Sequence, residues 1–268
     1  IPPAWREVWI SPLENGHLQA VGTDDAGRRQ YLYHPAWRQR RDQQKHRRVT
    51  QAAALLPAVR GQVERDLRRT GMPAERVAAL AVRLLDEGCF RIGNDVYADV
   101  HGSFGLTTLL RRHVRRQGGS LRFRFTGKSG IEHDLTISDP EVLAAVHTLR
   151  RRPSESERLL AYRGADGWRD LTATMVNAYL APLFQTDFTA KDFRTWHGTV
   201  IAAESLALSE EPGDTEASRK RAIRAAVREV AGYLGNTPAV ARASYIDPRV
   251  FDRYESGLRI DAALVRAH

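Results

Sequence analysis

Four residues stand in local contexts that mark them as able to do chemistry together: Arg91, Lys128, Arg194 and Tyr245. The contexts are CFRIGND (89–95), FTGKSG (125–130), TAKDFRTWHGT (189–199) and GNTPAVARASYID (235–247). They supply two fixed positive charges, one ammonium proton donor and one phenol nucleophile. Transesterification of a phosphodiester needs those functions. A nucleophile attacks phosphorus in line with the leaving oxygen, and preorganised cations meet the charge growing on the nonbridging oxygens. A positioned acid protonates the departing 5′ oxygen. The four residues could do this without a metal, leaving the phosphate joined to the protein.

Each residue also has an ordinary reading when taken alone. An unperturbed tyrosine ionises near pH 10 and needs help to act as a nucleophile, and most lone tyrosines simply pack. Gly235 reads as a helix stop, Thr237-Pro238 as a helix start and Asp247-Pro248 as another. Tyr245 is therefore expected in a short joint between helices. Arg194 is expected on a helix with Thr189 as N-cap and Asp192 in the capping-box position. Phe193, Trp196 and Val200 would mark its buried stripe. Lys191, Arg194 and His197 recur on a neighbouring face, which could be no more than a solvated basic face. A guanidinium there would suit phosphate, because its fork bonds two oxygens and stays charged. Arg91 lies between the helix stop Gly88 and a Gly93-Asn94 turn, where a surface ion pair is the plain alternative. Lys128 falls at a hairpin tip. GKSG is not a nucleotide-binding loop, since it lacks the upstream glycine spacing and the following helix.

The elements that must position these groups fall into two parts. The first 45 or so residues read as β-rich, with strand-like alternation at 17–22 and 30–34 and a polar turn at 23–29. Trp5, Trp9, Tyr31, Tyr33 and Trp37 would give this small sheet its apolar mass. The basic run RQRRDQQKHRR (38–48) then breaks the pattern. A boundary near 46–49 divides the chain into residues 1–47 and 48–268. Helices are expected over 49–69 with an interruption at Pro57, and over 73–87, 104–115, 139–152, 172–184, 190–206 and 216–234. Residues 121–126 and 131–137 form the hairpin around GKSG. The fold class is α+β: a small β-sheet domain, then a larger, mainly helical one carrying a small sheet.

The chain has 268 residues, and Lys and Arg exceed Asp and Glu by 41 − 32 = 9. That excess favours a polyanionic partner, with nucleic acid ahead of an acidic membrane surface. No apolar run suggests a membrane span. The single Cys89 excludes an intramolecular disulfide and a zinc site built on several cysteines, and it reads as a core residue. The histidines show no compact ligand spacing, so no metal and no other cofactor is expected. IPPAWREVW has no Met and no signal-peptide pattern, which suggests that natural sequence precedes it.

Taken in order, these motifs resemble the type IB DNA topoisomerases, in the compact bacterial and poxvirus branch. R-I-G-N…Y…G-L-T-T-L (91–109) is similar to the stretch around that family's first catalytic arginine. K-x-x-R-T (191–195) is similar to the stretch around its second. The lysine at a hairpin tip and the S-Y pair after G-N-T-P-x-V-x-R-x complete the set. IPPAW and YHPAW lie upstream, and the resemblance runs from about residue 1 to 257.

The resemblance implies a C-shaped clamp on double-stranded DNA, with the β-domain on one face and the catalytic domain on the other. It implies that Tyr245 forms a 3′-phosphotyrosine, that Arg91 and Arg194 stabilise the phosphorus centre, and that Lys128 is the general acid. Asn236 stands where many members have a histidine, and its uncharged amide can still donate to a phosphate oxygen. Lys191 is implied as an auxiliary contact. Asn94, Tyr97 and the basic residues Arg38, Arg41 and Lys45 are expected near DNA. The implied protein relaxes supercoils as a monomer without ATP or metal, in the bacterial cytoplasm with the nucleoid. Two other readings stay open. A site-specific tyrosine recombinase shares the nucleophile, although its usual H-x-x-R reads K-x-x-R here. A non-catalytic DNA clamp would bind without changing linking number.

Overall fold

Three short antiparallel strands open the chain: β1 (Arg6–Ile10), β2 (Leu18–Thr23) and β3 (Arg29–Tyr33), in spatial order β1-β2-β3. The computed structural model describes residues 1–88, 90–93, 102–210, 213 and 215–266. The turn between β2 and β3 is set by Asp24, whose Oδ1 accepts from the amides of Ala26 and Arg28. Gly27 completes that turn at φ +72°, a value glycine adopts without strain. Ala20 and Val21 of the central strand are buried. Of the aromatics expected to fill this sheet, Trp9, Tyr31 and Tyr33 are instead exposed. Tyr33 stacks on Trp37 with ring centroids 4.4 Å apart.

The basic run lies within helix α1 (Pro35–Ala53), so strand structure in this region stops at Tyr33. Proline in the first helical turn and a following series rich in Gln, Arg and Lys both favour helix here. The chain divides into two compact units, residues 1–47 and 48–268.

In the second unit, α2 (Leu56–Leu67) follows α1 after a break with Pro57 in its first turn. Helix α3 (Ala74–Gly88) is buried on nearly every side, through Val77–Val82, Leu84 and Leu85, as expected of a helix at the centre of a core. Residues 104–115 depart from expectation. No α-helix forms there, and two 3₁₀ turns at Leu106–Thr108 and Arg111–His113 run into strand β4 (Val114–Gln117). The backbone amides of Leu106 and Thr107 donate to the carbonyls of Arg91 and Ile92 at 2.7 and 2.9 Å. Gly105 makes that approach possible, since a methyl group on it would sit 2.5 Å from the Gly93 Cα. Glycine and tandem threonines are poor helix formers, and here the cross-chain bonds win.

Strand β4 pairs with β5 (Ser120–Thr126), which pairs with β6 (Glu132–Ile137). Next come α4 (Pro140–Arg151) and a two-stranded hairpin of β7 (Ala161–Gly164) and β8 (Gly167–Asp170). The remaining helices are α5 (Ala173–Phe184), α6 (Asp192–Ala207), α7 (Glu216–Leu234), α8 (Pro238–Ser244), α9 (Arg249–Glu255) and α10 (Ala262–Arg266). The α+β class is as expected, with β7 and β8 added.

Two hydrophobic clusters organise this unit. The larger joins α2 to α5 with the β4–β6 sheet and reaches Phe90, Ile92 and Phe193. The smaller joins the second half of α6 to α7, α8 and α9 and includes Ile246, with Tyr245 packed against it. The candidate chemistry lies along their seam.

Candidate active site

The C-terminus of α7 is the hub. Gly235 ends the helix at φ +59°, and the Asn236 amide donates back to the Ala231 carbonyl at 2.9 Å. This is the left-handed cap that glycine permits. It leaves late carbonyls of the helix without intrahelical donors, at the negative end of the helix dipole. Two arginines take them. Arg194 Nη2 donates to the Leu234 carbonyl at 2.6 Å, and Arg91 Nη2 donates to the Gly235 carbonyl at 3.1 Å. One helix end thus gathers two guanidinium groups that lie 103 residues apart in sequence (194 − 91).

Asn236 joins the same cluster. Its Oδ1 accepts from Arg91 Nη2 at 2.7 Å. A guanidinium can only donate, so the amide oxygen must face Arg91 and the amide nitrogen must point elsewhere. That Nδ2 is buried and meets no acceptor among the described residues, and neither does Arg91 Nη1. Unused buried donors carry a cost unless something accepts from them. Burial and the nearby Arg194 charge both lower the Arg91 pKa, while the adjoining Tyr245 phenol favours its charge. Arg194 is itself almost fully buried rather than part of a solvated face. Two guanidinium charges and two unused donors thus lie together at this helix end.

Tyr245 is the C-cap of α8, in the joint expected between two helices. Its ring lies under the Arg194 guanidinium, 5.0 Å from Cζ to the ring centroid. Helix α6 holds its backbone closely. Thr199 Oγ1 donates to the Tyr245 carbonyl at 3.4 Å and accepts from the Asp247 amide at 3.1 Å. A methyl group on Gly198 would sit 2.7 Å from that carbonyl oxygen. Glycine inside a helix costs about 1 kcal/mol relative to alanine, and here it admits the tyrosine backbone. Gly198→Ala is expected to displace Tyr245 and, on the expectation that Tyr245 is the nucleophile, to slow covalent adduct formation about 100-fold, the scale of a small misplacement. Single-turnover cleavage checks this, with DNA affinity unchanged.

Before α6 the N-cap position falls to Lys191 rather than to the expected Thr189, while Asp192 still reaches back to Thr189. Asp192 Oδ2 accepts from the Thr189 amide and hydroxyl at 2.9 and 2.8 Å. The helix itself starts at Asp192, and Asp192 Oδ1 also accepts from Arg48 at 2.7 Å. His197 faces Asp86, with Nε2 3.8 Å from Oδ1, while Arg60 holds Asp86 through two hydrogen bonds.

Comparison with known proteins places the chain in a family. Residues 34–261 match the family model for the catalytic core of eukaryotic DNA topoisomerase I, and residues 1–24 match that for the N-terminal domain of bacterial DNA topoisomerase IB. The chain belongs to the type IB DNA topoisomerases. It is 30% identical over 264 residues to DNA topoisomerase 1B of Acanthamoeba polyphaga mimivirus, covering 96% of this chain and 78% of that protein. It is 21% identical over 250 residues to DNA topoisomerase 1B of vaccinia virus strain Copenhagen, covering 92% and 75%. DNA topoisomerase 1 of Mycosarcoma maydis is 23% identical over 233 residues, covering 78% of this chain and 23% of that longer protein.

Not every expected site residue of this topoisomerase joins the cluster. Lys128 is exposed in the tight turn between β5 and β6, with Ser129 beside it at φ +64°. Lys191 is exposed just ahead of α6. Arg38, Arg41 and Lys45 lie along α1, where Arg41 sits over the Trp37 ring and Lys45 pairs with Asp42 at 3.0 Å. Asn94, Tyr97 and Cys89 fall outside the described residues. Among the described residues, no group of three or more His, Cys, Asp and Glu side chains could hold a metal ion.

The topoisomerase site also contains a residue that sequence reasoning passed over. His133 on β6 packs against Gly235, and a methyl group there would lie 3.0 Å from its Cε1. Burial, Arg91 and Arg194 together lower its pKa. The signal was available: β6 directly follows the lysine turn, and His133 pairs with Phe125.

Glu87, in the last turn of α3, has the opposite perturbation. Burial and then the Asp139 charge push its carboxyl from 4.5 up to about 7, with Arg83 opposing. The folded state holds this proton more tightly than the unfolded chain does. Its stabilising contribution is therefore complete below about pH 4.5 and is lost as pH rises through about 7. Glu87→Gln should raise the melting temperature at about pH 8 and leave it nearly unchanged at about pH 4. Paired thermal melts test the sign.

Proposed function

We propose that Tyr245 attacks the backbone of double-stranded DNA. The bond from its phenol oxygen to phosphorus forms as the bond from phosphorus to the 5′ oxygen breaks. The phenol proton passes to solvent, and the Lys128 ammonium protonates the leaving 5′ oxygen. Arg91, Arg194 and the Asn236 amide bind the nonbridging oxygens as charge grows on them. The product is a 3′-phosphotyrosine and a free 5′-hydroxyl. The free strand rotates about the intact one, and reversal reseals the nick. One phosphodiester replaces another, so the cycle needs no ATP.

The observation that carries this reading is the placement of the Tyr245 ring under Arg194 and beside Arg91, with both arginines anchored on one helix end. Lys128 enters from its exposed turn once DNA is bound. Residues 1–47 grip one face of the duplex as a C-shaped clamp closes with the catalytic domain, 48–268. Arg38, Arg41, Lys45 and Lys191 contact phosphates, and Asn94 and Tyr97 approach DNA nearby. The enzyme acts as a monomer on the bacterial nucleoid in the cytoplasm. The match of residues 1–24 to the bacterial N-terminal model supports that source.

The test uses negatively supercoiled plasmid in EDTA without ATP. A ladder of relaxed, covalently closed circles is expected. An unchanged plasmid bound by the protein would favour a clamp without catalysis, and products joined only at defined sites would favour a recombinase.

A further inference from the structure

His133 occupies an unusual position between two parts of the proposed machinery. Its ring stacks on Phe125, with centroids 5.0 Å apart and planes 17° from parallel. On one side it covers Gly127, the residue immediately before Lys128. A methyl group on Gly127 would lie 2.6 Å from both Cδ2 and Nε2 of His133. On the other side it meets Gly235, the residue immediately before Asn236, with Cε1 3.0 Å and Nε2 3.7 Å from a methyl group placed there. The two glycines let a flat ring slot between the lysine turn and the end of α7. Gly127 also ties the turn to itself, its amide donating to the Ile131 carbonyl at 2.7 Å.

We propose that His133 is a positioning residue for strand cleavage: its ring is a strut that sets the Lys128 turn in register with the Arg91–Asn236 phosphate site. The inference rests on the reading of Lys128 as general acid. An exposed lysine on a short turn has many rotamers and no fixed anchor of its own. The turn's base, however, is pressed through His133 against the helix end that holds both arginines. Movement of the turn is thereby referred to the phosphate rather than to solvent. The charged groups facing the imidazole are Arg91 and Arg194 from other elements and Glu132 on its own strand. Burial and the two arginines disfavour a third positive charge here, so His133 serves as a neutral ring. Its role is shape and stacking, not proton transfer.

The test compares His133→Ala, His133→Phe and Lys128→Ala in single-turnover cleavage of a nick-trapping duplex. Each is measured on the natural substrate and on one whose leaving 5′ oxygen is replaced by sulfur. A thiolate leaves without needing a proton, so a defect in acid delivery disappears with sulfur. Lys128→Ala should slow the natural substrate by about 100-fold or more, the scale of general acid catalysis, and recover with sulfur. His133→Ala should slow it by roughly 10-fold, a partial loss of the same acid catalysis, with unchanged DNA affinity and the same recovery. His133→Phe keeps the flat ring and the stack on Phe125, and should regain most of the rate lost in His133→Ala.

A His133→Ala defect that persists with sulfur, beside a Lys128→Ala defect that recovers, would overturn the strut alone. A Lys128→Ala defect that persists with sulfur would overturn the general-acid reading beneath it. Failure of His133→Phe to recover, in a variant that melts like the parent, would also overturn the strut, since the imidazole itself would then be required.

Discussion

Tyr245→Phe is expected to bind duplex DNA with parental affinity and to form no covalent adduct. The change removes one oxygen, and with it the phenol's contact with Arg91, but keeps the contacts that seat the ring: the Arg194 guanidinium over its face and the α6 backbone packed against its own. The fold and the arginine cluster should therefore survive, while the nucleophile of the proposed mechanism is gone. Relaxation should fall by about 10⁵-fold or more, the scale seen when a nucleophile is deleted from an otherwise intact site. Denaturing gels of protein incubated with end-labelled nicked duplex read the adduct directly, and binding is measured in parallel. An adduct persisting in the phenylalanine variant would remove Tyr245 from the mechanism. Loss of binding together with adduct would mean that the phenol holds the site together rather than reacting in it.

The sequence was most legible where local chemistry decides structure. Thr237-Pro238 announces α8, and Gly235 announces the end of α7, because caps are read from residue type. The alternation of Leu121, Phe123 and Phe125 gives β5 and the turn that carries Lys128. The motif contexts likewise singled out Arg91, Lys128, Arg194 and Tyr245, and the resemblance added Asn236; the folded chain draws Arg91, Arg194, Asn236 and Tyr245 together, while Lys128 stays on its exposed turn.

What could not be read depends on partners distant in sequence. The stretch 104–115 carries apolar residues that suit a helix, yet its amides find Arg91 and Ile92 instead. Periodicity says nothing about that competition. The hub of the site is a pair of backbone carbonyls, at Leu234 and Gly235, and backbone atoms have no sequence signature. Gly198 gave a faint signal, since a glycine inside a helix asks for a reason. His133 required the strand register and the packing of that hairpin on α7, and only the register was within reach of the sequence.

The second large effect is expected at Arg91. Arg91→Ala should reduce single-turnover cleavage by about 10²–10³-fold, the range for removing one preorganised donor to developing charge. Noncovalent affinity should change little, because one phosphate contact among many alters the salt dependence of log K by only about one unit. Arg91→Lys separates charge from geometry. Arg91 spends Nη2 on the Gly235 carbonyl and on Asn236 Oδ1, and still presents Nη1. A lysine has the charge but not the fork, so it cannot hold Asn236 and reach a phosphate oxygen along the same fixed plane. It should recover less than a tenth of the lost rate, on the order expected when a bidentate contact is not restored. Near-complete recovery by lysine would show that only charge is needed at this position, and the bond to Asn236 would then have no part in orienting its amide. Because Arg91 and Asn236 share that bond, Arg91→Ala and Asn236→Ala should be less than additive when combined. Full additivity in that cycle would separate the two residues and leave Asn236 to bind phosphate on its own.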